Sequence, residues 1–157
     1  MSSRAEGKRV AERLSIDKEG VFRHEGVEIT HPGTLELFFR NLQCDGSGYV
    51  VSVGDEWARV DVEDTPFVVK AIREGTDSLQ AILNDGTQER VDPETLEIGM
   101  GNVLYCRVKA GRFPARFTRQ AYYQIAAYIE PTEHEGFCLA LPEGRFHIGQ
   151  RVGTRTD

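Results

Sequence analysis

Between Val103 and Pro131 the apolar pattern changes period, and this change narrows the architectures open to the chain. Leu104, Cys106 and Val108 alternate with Tyr105, Arg107 and Lys109, the two-residue period of a half-buried strand. Ala110-Gly111 then closes a hairpin whose return strand turns Phe113, Ala115 and Phe117 inward and Arg112 and Arg116 outward. A two-residue loop sets Lys109 opposite Arg112 and Tyr105 opposite Arg116, whereas a bulge slips that register. From Thr118, a helix N-cap by residue type, the period lengthens. Tyr122, Ile125, Ala126 and Ile129 then form one helix face to about Glu130, and Pro131 ends it. A hairpin feeding directly into an amphipathic helix points to the α+β class.

The pattern occurs twice. SIDKEGVFRHEGVEIT predicts a hairpin around Lys18-Glu19-Gly20. HPGTLELFFRNLQ predicts a helix with Leu35, Phe38, Phe39 and Leu42 on one face, capped by Thr30 or Thr34. A second hairpin, Gly48 to Val62, turns Ala58, Val60 and Val62 inward and Trp57, Arg59, Asp61 and Glu63 outward. Lys18-Glu19-Gly20-Val21-Phe22 matches Lys109-Ala110-Gly111-Arg112-Phe113. Thr30 and Thr118, like Gly48 and Gly136, stand 88 residues apart. Two copies are too few for a solenoid, so the expectation is an internal duplication of a β-hairpin–helix–hairpin unit, giving two related lobes with a crevice between them. Within this frame residues 1–14 are a polar arm with one helical turn near Val10–Leu14. Residues 15–76 form the N-terminal lobe, 77–150 the C-terminal lobe and 151–157 a tail. An apolar run from Phe67 to Ile72 and a hairpin at Asn84-Asp85-Gly86 complete the strands, and Gly99-Met100-Gly101 reads as a flexible joint.

Composition excludes several function classes. No stretch approaches the roughly 20 apolar residues of a membrane span, and the first residues have no apolar core of a signal peptide. Three cysteines, an odd number without CxxC spacing, read as reduced thiols in a cytoplasmic protein, with at least two in apolar strand patterns. The net charge of −6 argues against a nucleic-acid polymer as partner. Catalytic motifs are absent: no GxSxG, P-loop or GxGxxG, and four scattered histidines give no metal spacing. The expectation is a non-enzymatic protein without metal or cofactor.

The charge is uneven. Residues 1–102 hold 11 Lys+Arg against 20 Asp+Glu, and residues 103–157 hold 8 against 5. No acidic residue lies between Glu97 and Glu130, where Arg107, Arg116 and Arg119 stand near Tyr122 and Tyr123. Guanidinium groups suit phosphate because they donate two charge-assisted hydrogen bonds in one plane. Arg119 opens the helix, where free N–H groups favour an anion, and a tyrosine one turn on suits stacking on a base. Trp57 with Arg59 offers an aromatic and cationic wall. The competing reading is internal: Asp61, Glu63 and Asp64 neutralise the cations, and Trp57 is packing.

Three runs carry a family resemblance: IDKEGVFRHEGVEITHP, then Val62-Glu63-Asp64-Thr65-Pro66-Phe67 after Trp57, and GRFPARFTRQAYY from Gly111 to Tyr123. Together they resemble the bacterial proteins catalogued as domain of unknown function 1285, over about residues 15–150. The resemblance implies a duplicated α+β protein whose C-terminal lobe is reminiscent of pleckstrin-homology folds, binding a nucleotide-like ligand between its lobes in signalling. It also favours Asp64 as a group orienting Arg116 or Arg119. The reading is a binding module for a small phosphorylated ligand held by Trp57, Arg59, Asp64, Arg107, Arg116, Arg119, Tyr122 and Tyr123. The alternative is a protein-interaction adaptor with no small ligand.

Overall fold

The structure, a computed structural model, describes residues 7–151. The chain divides between Asp64 and Thr65 into two units, each with its own sheet and one α-helix, an α+β organisation. The division precedes the expected boundary at 76/77 because residues 67–74 hydrogen-bond into the second sheet.

The first unit runs β1 (Lys8–Arg9), β2 (Leu14–Ile16), β3 (Phe22–His24), β4 (Val27–Glu28), α1 (Pro32–Arg40), β5 (Leu42–Cys44), β6 (Tyr49–Val53) and β7 (Glu56–Val62). The strand order is β4-β3-β2-β7-β6-β5, with β1 alongside the start of β7. Residues 10–13 lie outside any helix, contrary to the expected helical turn. The N–H groups of Lys8 and Val10 instead bond the carbonyls of Asp55 and Trp57, because the exposed edge of β7 offers them partners. Ala58 and Val60 are buried as expected, and Val62 is half-buried. The core is aromatic where α1 meets the sheet: the Phe22 ring lies 5.6 Å from Phe38 and 5.2 Å, edge-on, from Phe39. His31, rather than Thr30 or Thr34, caps α1, its Nδ1 accepting the Thr34 N–H at 3.2 Å. The helix stops at Arg40, so Leu42 belongs to β5. Asn41 turns the chain there, with both its backbone N–H (3.2 Å) and its Nδ2 (2.8 Å) donating to the Leu37 carbonyl.

The second unit runs β8 (Phe67–Glu74), β9 (Leu79–Leu83), β10 (Gln88–Arg90), β11 (Glu97–Ile98), β12 (Leu104–Val108), β13 (Phe113–Phe117), α2 (Arg119–Ala126), β14 (Ile129–Pro131), β15 (Phe137–Leu141) and β16 (Gly144–Gln150). Its order is β10-β9-β8-β13-β12-β11-β16-β15-β14. Of the two registers left open, the structure has that of the two-residue loop: Tyr105 faces Arg116, and Leu104, Cys106, Val108, Phe113, Ala115 and Phe117 are all buried. Thr118 caps α2 as expected, accepting the Ala121 N–H at 3.1 Å. The helix ends at Ala126 instead of running to Glu130, because Ile129–Pro131 is claimed by β15 as a strand partner. Its buried side is therefore Ala121 and Ile125, with Tyr122 and Ala126 half-buried. Gly99 is not a mere joint. A Cβ there would lie 2.7 Å from the Tyr105 ring, so the position must be glycine for the ring to lie across it.

The run Thr65-Pro66-Phe67 has a structural task. Thr65, fully buried, donates to the Phe67 carbonyl (2.7 Å) and accepts the Arg116 N–H (3.0 Å). Asn84 accepts the Val68 N–H (2.9 Å) and donates to the Pro66 carbonyl (3.2 Å). Where the β8–β9 register slips between Val69 and Ala71, Gln124 of α2 accepts the Ile72 N–H at 2.6 Å. Side chains thus take up the Val68 and Ile72 N–H groups and the Pro66 and Phe67 carbonyls of the irregular strand.

The two units share one topology. In the first, β2-β3-β4-α1-β5-β6-β7 gives the order 4-3-2-7-6-5; in the second, β11-β12-β13-α2-β14-β15-β16 gives 13-12-11-16-15-14. In both, the first strand of the series runs parallel to the last. The 88-residue spacing holds beyond the helices, from Tyr49 to Phe137 and from Glu56 to Gly144. At the front it does not mark equivalent hairpins. The Lys109–Phe113 turn joins β12 to β13 and corresponds to the β3–β4 turn, whereas Lys18–Phe22 joins β2 to β3. A shared Lys-x-Gly turn chemistry, not a shared position, produced that match.

Candidate functional site

The cations of the β12–β13 hairpin divide into those that hold the second unit together and those that do not. Lys109 belongs to the first kind. Its backbone takes a left-handed φ of 57° at the turn, and its N–H donates to Glu89 at 3.1 Å. Its Nζ reaches Asp85 Oδ2 (2.8 Å) and Thr87 Oγ1 (2.9 Å). Burial pushes the Asp85 carboxyl up, but hydrogen bonds from Lys109 and from the Thr87 hydroxyl and amide together hold it below its ordinary value. The Asn84-Asp85-Gly86 turn and the Lys109 turn are therefore clamped to each other.

Arg116 is half-buried on β13, and its N–H is the one held by Thr65. Tyr105, opposite it, is buried beneath Arg151, whose guanidinium lies 4.0 Å over the ring. Arg107 and Arg112 sit at the exposed tip. Arg107 Nε donates to the Gly111 carbonyl at 2.9 Å, and the Arg112 guanidinium lies 5.1 Å over the Phe113 ring.

Arg119 and the tyrosines come together on α2. Arg119 is exposed, and its Nη1 donates to the Tyr123 hydroxyl at 3.4 Å, one helical turn on. The Tyr123 ring is 62 % exposed and lies 5.9 Å from that of Tyr122. Among the described residues Arg107, Arg112 and Arg119 make no ion pair with a carboxylate; Arg107 and Arg112 stand at the turn before β13 and Arg119 after its other end, so only Arg119 places such a charge beside the exposed Tyr123.

Trp57, Arg59 and Asp64 belong to the first unit. Trp57 and Arg59 are neighbours there, with the Arg59 guanidinium 5.9 Å and that of Arg9 5.4 Å from the indole centroid. Arg59 already has an internal partner. It forks onto Asp45, Nη2 to Oδ2 at 3.1 Å and Nη1 to Oδ1 at 3.4 Å, and the Asp45 side chain is only 2 % exposed. Asp45 also accepts the Ser47 N–H and hydroxyl, each at 3.0 Å. The Cys44-Asp45-Gly46-Ser47-Gly48 turn is thus tied down by Arg59 through a charge-assisted pair. Asp64 is half-buried at the end of the unit. Glu63 is engaged locally, accepting the Lys18 N–H at 2.9 Å.

Cys106 and Cys138 are buried and Cys44 is exposed, all three as free thiols. Burial pushes the Cys106 thiol up to about 12, with the negative charges of Glu89 and Asp92 adding to the effect, so it does not form a thiolate near neutral pH. Among the described residues no cluster of three or more His, Cys, Asp or Glu side chains is arranged to hold a metal, and no helix is long and apolar enough to cross a membrane.

The sequence missed the polar residues that lock the fold. Thr65, Asn84 and Gln124 are ordinary in type, and only the Pro66 beside Thr65 hinted at a special backbone.

No family model and no curated protein matches the chain. Two solved structures share its fold. One is a DUF1285 family protein from Silicibacter pomeroyi, 19 % identical, with a TM-score of 0.69 over 87 % of this chain and 79 % of that one. The other is a DUF1285 family protein from Shewanella baltica, 20 % identical, with a TM-score of 0.62 over 74 % of this chain and 92 % of that one. The fold is that of DUF1285 proteins, in agreement with the resemblance carried by the three sequence runs.

Proposed function

We propose that this chain, a DUF1285 protein by fold and motif, is a non-enzymatic cytoplasmic module that binds a small phosphorylated, nucleotide-like ligand in bacterial signalling, and that the exposed face of α2 contacts it. One observation carries the reading: Arg119, without a carboxylate partner, is hydrogen-bonded to an exposed tyrosine that stands beside a second. Arg119 supplies charge and two donors for a phosphate, and Tyr123 supplies a flat face for a base. Arg59 and Lys109 are left out, because each is bound to a well-buried carboxylate. The shared strand order supports descent of the two units from a duplicated ancestor, and free cysteines support a reducing compartment.

The test is a thermal-shift screen against nucleotides, cyclic nucleotides and cyclic dinucleotides at low salt and at about 0.3 M salt. A ligand at 100 times its Kd adds about 2.7 kcal/mol, a shift of several degrees for a chain of this size. The expected shift weakens with salt and is lost in Arg119→Ala/Tyr123→Ala. A shift that survives the double substitution, or the absence of any shift, overturns the assignment.

A further inference from the structure

The outer face of β14–β15–β16 gathers a cysteine and three titratable side chains. Cys138 of β15 has Glu130 of β14 directly opposite on one side and His147 of β16 directly opposite on the other. Residues opposed in this way share a face, with Cβ atoms about 4.5–5.5 Å apart. Leu139 and Ile148 point the other way, into the core, and are buried. Arg145, two residues before His147, joins the outer face and donates from Nη1 to Glu130 Oε1 at 2.8 Å. Because β15 lies between β14 and β16, this ion pair passes over Cys138 and the small Ala140. The arrangement explains an odd pattern of exposure. Cys138 is only 5 % exposed, whereas the side chains above it, Arg145 and Glu130, are 59 % and 51 % exposed.

We propose that Cys138 is a site of reversible modification, a thiol that Arg145 prepares to form a mixed disulfide with a small disulfide bearing carboxylates. The guanidinium serves the sulfur as well as the carboxylate: Glu130 first, and after it Cys138, hold Arg145 above its ordinary value. A cation in contact with a cysteine favours the thiolate, the form that attacks disulfides. The cover over the sulfur is slight, because exposed ion pairs add little stability and open readily. Once Glu130 lets go, Arg145 has donors for a carboxylate of the incoming molecule, held beside the thiol. The step balances without a further oxidant. The thiol gives its proton to solvent and its sulfur bonds one sulfur of the small disulfide. The other sulfur leaves as a thiolate with the electron pair of the broken S–S bond. Cys106 takes no part, since burial keeps its thiol protonated. The proposal does not depend on the α2 face.

The test treats the whole reduced chain with glutathione disulfide, which is net anionic, and with cystamine, which joins the same S–S bond to two ammonium groups. Peptide mass spectrometry follows the adduct on each cysteine over time. Glutathione disulfide should modify Cys138 ahead of the more exposed Cys44, and a dithiol should reverse it. The ratio of the glutathione rate to the cystamine rate should be larger at Cys138 than at Cys44, and should shrink at about 0.3 M salt. Two substitutions break the same ion pair and uncover the same sulfur. Glu130→Gln, which frees Arg145, should speed the reaction with glutathione disulfide. Arg145→Gln should slow it about tenfold and remove the preference for the anionic disulfide. Arg145→Lys keeps the charge and should keep the preference, which decides the matter if an early thermal melt shows that Arg145→Gln disturbs the fold. An adduct confined to Cys44, equal rate ratios at the two cysteines, or faster reaction in both Glu130→Gln and Arg145→Gln overturns the proposal.

Discussion

α1 and α2 hold the same place in the two units, each between two antiparallel strand runs, yet they turn opposite chemistry to solvent. α1 sends Phe38 and Phe39 onto Phe22 and leaves outside an ordinary i,i+4 pair, Glu36 with Arg40 at 3.6 Å. α2 buries only Ala121 and Ile125 and leaves outside Arg119 with Tyr123, a cation that makes no ion pair among the described residues and an exposed aromatic. The aromatic mass that stabilises one helix is displayed by the other. The cations follow the same division: Arg59 and Lys109 are built into turns, whereas Arg119 is not. Stabilising groups and candidate contact groups are therefore separable by substitution.

The largest effect should come from the aromatic contact under α1. Phe22→Ala empties a fully buried site and should cost about 3–5 kcal/mol in urea unfolding; a loss below about 1 kcal/mol would mean that α1 is not anchored as described. Thr65→Val keeps the shape but removes a hydroxyl that bonds at both ends, leaving the Arg116 N–H unsatisfied. It should cost about 1–3 kcal/mol by the same measurement. Next comes the clamp between turns. Because the Asp85 carboxyl titrates lower in the folded chain than its ordinary 3.8, its contribution is present above that value and is lost as pH falls through the lower folded one. Asp85→Asn should flatten that acid limb of a stability-against-pH curve, and an unchanged limb would show that the Lys109 contact is not made in solution. The smallest effects belong to the exposed pairs. Glu36→Ala should cost about 0.3–0.5 kcal/mol, and Arg119→Ala should change stability by no more than about 0.5 kcal/mol while removing ligand shifts. A large loss of stability in Arg119→Ala would erase the contrast between the helices.

Much of this arrangement was legible in the residues. The period change at Val103–Pro131 gave the hairpin, the Thr118 cap and the inward set from Leu104 to Phe117, because local alternation and capping are short-range effects, whereas the register, which a bulge would have slipped, was left open. The ends of the helices were not legible. Asn41 closes α1 through its own side chain, and β15 takes Ile129–Pro131 from α2, a competition that only tertiary pairing decides. Among site residues, Arg119, Tyr122 and Tyr123 were found together because they share one helix. The Arg59 ion pair was not legible because its partner Asp45 lies in a turn that no periodicity connects to β7. The cluster of cations around Lys109 likewise looked unopposed until Asp85 and Glu89 arrived from another hairpin.

The parallel seams have a kinetic consequence. β2 with β7, and β11 with β16, join the first and last strands of each six-strand series. Neither sheet is complete until nearly the whole of its series has been synthesised and its longest loop closed. Such non-local pairing belongs to slow, high-contact-order folding. The interval before closure exposes the inner edges of β2 and β11 to any other extended chain, so both units are most vulnerable to misassembly while they are still being made.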